Sequence, residues 1–464
     1  MQLEFHGAAR EVTGSCHILR VNGQTILLDC GLFQGKRADV LKKNHQLPVD
    51  PHTISAVVLS HAHIDHAGRI PFLVHEGYKG PIHATTATRD LCEVMLADSA
   101  HIQEKDAEFL SRRKQQHAEP LYGSKDVVRT LELMQGTRYG RVVDVAPGVK
   151  ATFLDAGHIL GSASVLLEFT EGNRTVRLVF SGDIGRVGLP IIRDPVVPER
   201  ADLVIMESTY GNREHPSTTG GMDALAKVVR ETAARGGKVL IPAFAVGRTQ
   251  ELVYDLHQLA EQGKIPRMPI VIDSPLATKA TAVFEKNTAI FDDDEPFVRS
   301  HRDDPAGLFK FPLLRFTESV EESKALDTTP GPAVIIAASG MAESGRILHH
   351  LSHGAADPRN TILVVGFMAE HTLGRRIVEK QPLVKVYGDE VPLRAQVEII
   401  SGYSAHAGRS ELHEWIRTAR AQSATLRDVW LVHGEPEAQD AFAALVTEDG
   451  LTPHCPTPGT RVDL

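Results

Sequence analysis

His61-Ala62-His63-Ile64-Asp65-His66 follows directly on the run Ala56-Val57-Val58-Leu59-Ser60. The apolar, β-branched run reads as a buried strand. Gly68 and then Arg69-Ile70-Pro71-Phe72-Leu73 read as the opening of a helix. The ligand-type residues therefore sit on a loop at the carboxyl end of a strand. Imidazoles two residues apart can converge on one cation, and a turn between Ile64 and Asp65 can aim the next pair at a second one. Imidazole with carboxylate suits zinc, and manganese or iron less well. A polar loop with merely solvated histidines is the bland alternative. Ligand types spaced this tightly after a core strand favour metal.

Working outward, the same arrangement recurs. Asp29 ends Gln24-Thr25-Ile26-Leu27-Leu28, and Cys30-Gly31 follows. His158 follows Phe153-Leu154-Asp155-Ala156-Gly157, and Asp183 follows Val176-Arg177-Leu178-Val179-Phe180-Ser181-Gly182. Each polar residue caps an apolar strand, as a site at one edge of a sheet requires. Any one alone is weak, because an Asp after a strand is usually a turn or helix cap. In this order and together they resemble the metallo-β-lactamase superfamily over residues 1 to about 210.

The chain has 464 residues, too many for one simple core, so two domains are expected. It is 42% hydrophobic and 23% charged, ordinary for a globular protein. A formal net charge of −9 argues against nucleic-acid binding by bulk charge alone. It leaves room for a nuclease, since divalent cations concentrate charge locally. Cys16, Cys30, Cys92 and Cys455 show no paired spacing and read as reduced thiols of a cytoplasmic protein. No run reads as a signal segment or a membrane span.

Residues 213–394 read as repeated strand–loop–helix units. Lys238-Val239-Leu240-Ile241 leads into Phe244-Ala245-Val246-Gly247-Arg248, and Pro269-Ile270-Val271-Ile272 into Asp273-Ser274-Pro275. Ala333 to Ala337 leads into Ser339-Gly340-Met341, and Thr361 to Val365 into His371-Thr372-Leu373-Gly374-Arg375. Such alternation predicts a parallel α/β sheet with one binding edge. From 395 the chain returns to short strands, Gln396 to Ser401 and Asp428 to Val432. Ser404-Ala405-His406 and His433-Gly434-Glu435 follow them. The reading is an α/β domain, 213–394, inserted into a metal-binding domain made of 1–212 and 395–464. The cluster Arg112-Arg113-Lys114 reads as a solvated helix face.

That layout resembles the β-CASP nucleases, the branch that contains RNase J and the cleavage and polyadenylation endonuclease. Glu207, in Met206-Glu207-Ser208-Thr209-Tyr210-Gly211, matches the branch's first acidic motif. His406 matches the histidine of its second. His433 matches its third, in the form typical of RNA-processing members. The resemblance implies a four-layer αββα fold with an inserted β-CASP domain. It implies a zinc-dependent ribonuclease that hydrolyses phosphodiesters by a two-metal mechanism, an endonuclease with 5′-exonuclease activity as an accompaniment.

By the resemblance, His61, His63 and His158 hold one zinc, and Asp65, His66 and His433 the other. Asp183 bridges the two, with manganese as a substitute metal. Asp29 orients a ligand imidazole. His406, held by Glu207, is the general acid for the leaving oxygen. Arg248, Ser339, His371 and Arg375 sit at strand–helix junctions where backbone amides and cations can meet phosphate. The family suggests a homodimer. A DNA nuclease of the same branch and a small-molecule thioester or lactone hydrolase are the rival expectations. The long insert and the Glu207/His406 pair disfavour the hydrolase, and His433 the DNA nuclease.

Overall fold

The computed structural model describes the chain except residues 36, 115–118, 216–219, 303–306, 367 and 401, and except the side chains of 37–39 and 112–114. The basic cluster Arg112-Arg113-Lys114 thus lies outside the described side chains. Contacts divide the chain into two units. The first is Met1–Leu189, Asp194–Glu214 and His406–Leu464; the second is Pro190–Arg193 and His215–Ala405.

The first unit holds two seven-stranded sheets. One runs Arg461–Asp463, Gln2–Gly7, Cys16–Val21, Gln24–Leu28, Ala56–Val58, Ile82–Thr85, Met134–Thr137. The other runs Thr452–His454, Asp428–Val432, Leu203–Glu207, Arg174–Phe180, Ala163–Glu171, Val149–Asp155, Val142–Ala146. Val149–Asp155 alternates between buried and more exposed positions, so one face turns to the core. Phe5, Leu19 and Ile26 of one sheet meet Phe153, Val165, Leu178 and Trp430 of the other in a shared core. Behind the second sheet, Leu412, Trp415 and Ile416 of Arg409–Gln422 and Phe442 of Pro436–Glu448 pack against Val179, Val204 and Met206. Behind the first lie the helices Thr86–Lys114 and Ser124–Leu133. The layers are therefore αββα.

The second unit carries a six-stranded, all-parallel sheet. Its order is Leu314–Phe316, Ile270–Ile272, Ala333–Ala337, Lys238–Pro242, Thr361–Val364, Gln396–Ile399. The inner strands are buried along nearly their whole length, as helices on both faces require. The last strand corrects the expected boundary. Gln396–Ile399 does not open the return of the metal-binding domain. It pairs with Thr361–Val364 as an edge strand, and the return begins at His406. A strand's own residues state its period but not its partner, so the sequence misplaced this crossing. Among the described residues no helix is long and apolar enough to cross a membrane.

Candidate metal centre

Parallel registers bring the polar residues to one edge. Gln24–Leu28 pairs with Ala56–Val58, Leu28 opposite Val58, so Asp29 and the His61 loop leave side by side. In the other sheet Arg174–Phe180, Leu203–Glu207 and Asp428–Val432 are consecutive parallel neighbours. Asp183, Glu207 and His433 thus end together. The two edges are tied directly, Ala163 N donating to Ser60 O at 2.9 Å. Close approach at the loop requires Gly31, where an added Cβ would fall 1.6 Å from the carbonyl oxygen of Asp65.

The side chains form two clusters. His63 Nδ1 lies 3.1 Å from His61 Nε2 and 3.2 Å from His158 Nε2. His66 Nε2 lies 3.1 Å from His433 Nε2, which is 3.5 Å from Asp65 Oδ2. Asp183 stands between them. Its Oδ2 is 3.4 Å from His61 Nε2 and 3.6 Å from His158 Nε2; its Oδ1 is 3.3 Å from His66 Nε2 and 3.6 Å from His433 Nδ1. His61, His63, His158 and Asp183 form one potential ligand set, and Asp65, His66 and His433 another. Imidazole nitrogens that face one another cannot all be satisfied by hydrogen bonds among themselves. Among the described residues, Asp183 Oδ1 and His158 Nδ1 are buried without a hydrogen-bond partner. Convergent nitrogen and carboxylate donors of this kind fit divalent cations.

Electrostatics agree with that fit at His61, His63 and His158. Burial pushes His61 down to about 3 and His63 to about 4, and it holds His158 well below the ordinary range. Each is therefore a neutral donor. Burial resists the charge on Asp183, but the surrounding histidines outweigh it and hold the carboxyl well below its usual range. At His66 burial is likewise outweighed, by the carboxylates of Asp183 and Asp29, and the pKa is raised well above its ordinary value.

Asp29 is buried, and its Oδ2 lies 2.7 Å from His66 Nδ1. Ser60 donates to it through N at 2.8 Å and Oγ at 2.9 Å, and Ser15 Oγ donates at 3.1 Å. The ring of His66 is thereby fixed with Nε2 toward His433. Ser15 and Ser60 were missed in the sequence. Their signal is adjacency alone, Ser60 preceding His61, and a serine beside a ligand is too common to single out. Thr209, whose Oγ1 lies 3.1 Å from His433 Nδ1, is a third such residue.

Glu207 is buried and accepts from Ile184 N at 2.6 Å and Thr209 N at 3.3 Å. His406 Nδ1 lies 3.2 Å from its Oε1 and 3.3 Å from its Oε2. The other ring nitrogen, Nε2, lies 3.9 Å from Asp183 Oδ2. The His406 side chain is 21% exposed, whereas His61 and Asp183 beneath it are essentially covered. His406 and His63 are the histidines of this group that are not fully buried, so solvent, and hence a substrate, reaches them.

The four expected phosphate contacts lie in the second unit and differ among themselves. Arg248 is the most buried of the four. It is 9% exposed and donates to Glu251 Oε2 at 2.7 Å, so its charge is neutralised within its own helix. Ser339 Oγ accepts the amides of Glu343 and Ser344 at 3.2 Å each, which closes the turn. Arg375 pairs with Glu379 at 2.6 Å and keeps 41% exposure. His371 is exposed with φ of 68°. Cys16 and Cys30, which sequence spacing did not pair, are both buried, and all four cysteines are free.

A fold of two facing sheets with histidines and aspartates at one edge defines a class of metal-dependent hydrolase. The metallo-beta-lactamase superfamily matches residues 9–242, the Beta-Casp domain 249–377, and the Zn-dependent metallo-hydrolase RNA specificity domain 390–456. The chain belongs to the metallo-β-lactamase superfamily, in its β-CASP branch. Its relatives include Ribonuclease TTHA0252 of Thermus thermophilus, 40% identical over 451 residues and 97% of each chain. Transcription termination factor FttA of Methanocaldococcus jannaschii is 33% identical over 96% of this chain and 69% of its own. Endoribonuclease ysh1 of Schizosaccharomyces pombe is 30% identical over 92% of this chain, which spans 53% of that protein. A solved structure of a protein of unknown function from Enterococcus faecalis V583 shares the fold. Its TM-score is 0.57 at 13% identity, covering 100% of this chain and 99% of that one.

Proposed function

We propose that the chain is a ribonuclease that hydrolyses RNA phosphodiester bonds with two zinc ions. The observation that carries this reading is Asp183, which turns one carboxylate oxygen toward each of two imidazole clusters. The relatives named as ribonucleases support RNA as the substrate. His61, His63 and His158 would hold one ion, Asp65, His66 and His433 the other, with Asp183 between. When bound, the pair supplies Lewis acidity toward the phosphoryl oxygens and activates water at neutral pH.

The chain's own residues do the rest. Asp29, itself held by Ser60, accepts from His66 Nδ1 and fixes the ring, so that Nε2 needs no reorientation. Glu207 accepts from His406 Nδ1 and keeps the ring positioned with Nε2 toward the site. His406 then gives its Nε2 proton to the leaving ribose oxygen, a poor leaving group as an alkoxide. Glu207 stabilises the protonated ring beforehand.

Incubating the purified protein with 5′- and 3′-labelled RNA, with chelator and after zinc is restored, tests the reading. Internal products that vanish with chelator and return with zinc are expected, with single nucleotides from the 5′ end as the exonucleolytic signature. Cleavage that persists without metal, or of DNA alone, would sink it. Elemental analysis should find two zinc ions dependent on Asp183.

A further inference from the structure

The inserted unit contains another convergence of ligand-type side chains, remote in sequence from the site above. His257 and Glu261 lie one turn apart on the helix Arg248–Glu261, so they share a face. His301 is the last residue of Pro296–His301. His257 Nε2 lies 3.5 Å from Glu261 Oε1, and His301 Nε2 lies 3.2 Å from the same oxygen. One ligand atom from each of the three lies within 4.8 Å of the others.

The far side of each ring is also occupied. His257 Nδ1 lies 2.9 Å from the carbonyl of Leu308. His301 Nδ1 lies 3.0 Å from the carbonyl of Phe297 and 3.0 Å from Ser300 Oγ. A carbonyl only accepts, so each Nδ1 carries a proton and each Nε2 is the ring atom left to meet Glu261. This carbonyl-backed tautomer is the usual setting of a metal-binding imidazole. The rings are also held in plane. Phe311 stacks on His257 at 4.2 Å and 5°, and Phe297 leans on His301 at 4.2 Å. A cation shared by the two Nε2 atoms and Oε1 would take the place of any proton held between them.

We propose that His257, Glu261 and His301 form a further divalent-metal site, of zinc class, held by two Nε2 atoms and one carboxylate oxygen. Two imidazoles and a carboxylate suit zinc, with cobalt and nickel as spectroscopic substitutes. Glu261 is 51% exposed while the histidines are 5% and 12% exposed, so the site opens to solvent on the carboxylate side. A bound ion would clamp the end of one helix to the end of the other.

The test is zinc stoichiometry of the full-length protein, equilibrated with buffered zinc and desalted. Wild type, His301→Gln and Glu261→Gln are compared, each also carrying Asp183→Ala. His301→Gln should hold one zinc fewer per chain than its parent in both backgrounds, with RNA cleavage unchanged where Asp183 is intact. Zinc should raise the Tm of the Asp183→Ala protein, and that rise should vanish when His301→Gln is added. Glu261→Gln changes a half-exposed side chain and leaves the fold intact. It should raise the zinc concentration needed for this equivalent by at least about 10-fold, since losing a direct ligand costs no less than losing an outer partner. Equal zinc in parent and His301→Gln, or an unshifted Glu261→Gln titration, would overturn the site. So would a zinc loss matched by lost cleavage, since that ion would belong to the Asp183 centre.

Discussion

In the first unit imidazoles crowd together around Asp183, nitrogen facing nitrogen at 3.1–3.2 Å. In the inserted unit a single imidazole, His350, lies between two carboxylates. Its Nδ1 is 2.7 Å from Asp327 Oδ1, and its Nε2 is 2.6 Å from Asp273 Oδ2. Asp273 also accepts from Ser323, Thr317 and Arg346. His349 adds a second contact to Asp327 at 2.6 Å. Both clusters are buried and built from the same residue types, yet their chemistry is opposite. Facing lone pairs need an external cation. His66 also has a carboxylate near each nitrogen, but its Nε2 faces His433 Nε2 as well, whereas both nitrogens of His350 meet carboxylates and the ring is itself the cation. Burial resists the charge on His350, but Asp273 and Asp327 outweigh it and raise the ring to about 9. Histidine and aspartate in proximity therefore do not make a metal site; the direction of the lone pairs does.

The largest effect should come from Asp183→Ala. It removes the oxygens that face both imidazole clusters, and cleavage of labelled RNA should fall to background with loss of zinc. Full zinc and full activity in this variant would dissolve the contrast between the two clusters.

Next is His406→Ala, which leaves the seven proposed ligands in place. At equal zinc occupancy kcat on RNA should fall by about 10²–10⁴-fold. A nitrophenyl phosphodiester, whose leaving group needs no proton, should lose far less. Glu207→Gln should give a weaker version of the same pattern. Equal losses on both substrates would make His406 a positioning residue rather than the acid.

In the inserted unit the prediction concerns stability rather than chemistry. His350→Ala leaves Asp273 and Asp327 without their shared cation, and should cost about 3–5 kcal/mol by denaturant unfolding. Zinc content and RNA cleavage of the folded fraction should not change. Zinc lost in proportion to His350 would show that this cluster, too, binds metal.

The smallest effect is its pH dependence. The folded pKa of His350 is raised, from 6.5 to about 9. Its stabilisation is therefore complete below about pH 6.5 and is lost as pH rises through about 9. The difference in unfolding free energy between wild type and His350→Gln should shrink by up to about 3 kcal/mol between those limits. A difference that stays constant from pH 6 to pH 10 would mean that the ring is neutral in the folded state.

The candidate site was legible in the sequence because its residues follow strands. Asp29, His61, His158, Asp183, Glu207 and His433 each follow or end an apolar run, and parallel pairing carries all such ends to one edge. Most of the insert was legible for the same reason, as alternating strands and helices. The boundary at 405/406 was not, because the pairing of Gln396–Ile399 with Thr361–Val364 is a long-range choice.

The sequence by itself determined the order of the strand-end motifs and the presence of an inserted parallel sheet, since these rest on local period and on residue type at strand ends; the αββα fold was implied by the family resemblance those motifs carry. Only the tertiary structure decided what each side chain faces. His17 is a buried histidine packed between Phe5 and Phe180, with no hydrogen bond to either nitrogen. Arg248, placed where a phosphate contact was expected, is neutralised by Glu251. His350 became an internal cation, whereas His257 and His301 turn their Nε2 atoms toward one carboxylate. The physical reason is that the charge and coordination of an imidazole depend on the partners of its two nitrogens, and distant segments supply those partners only when the chain folds.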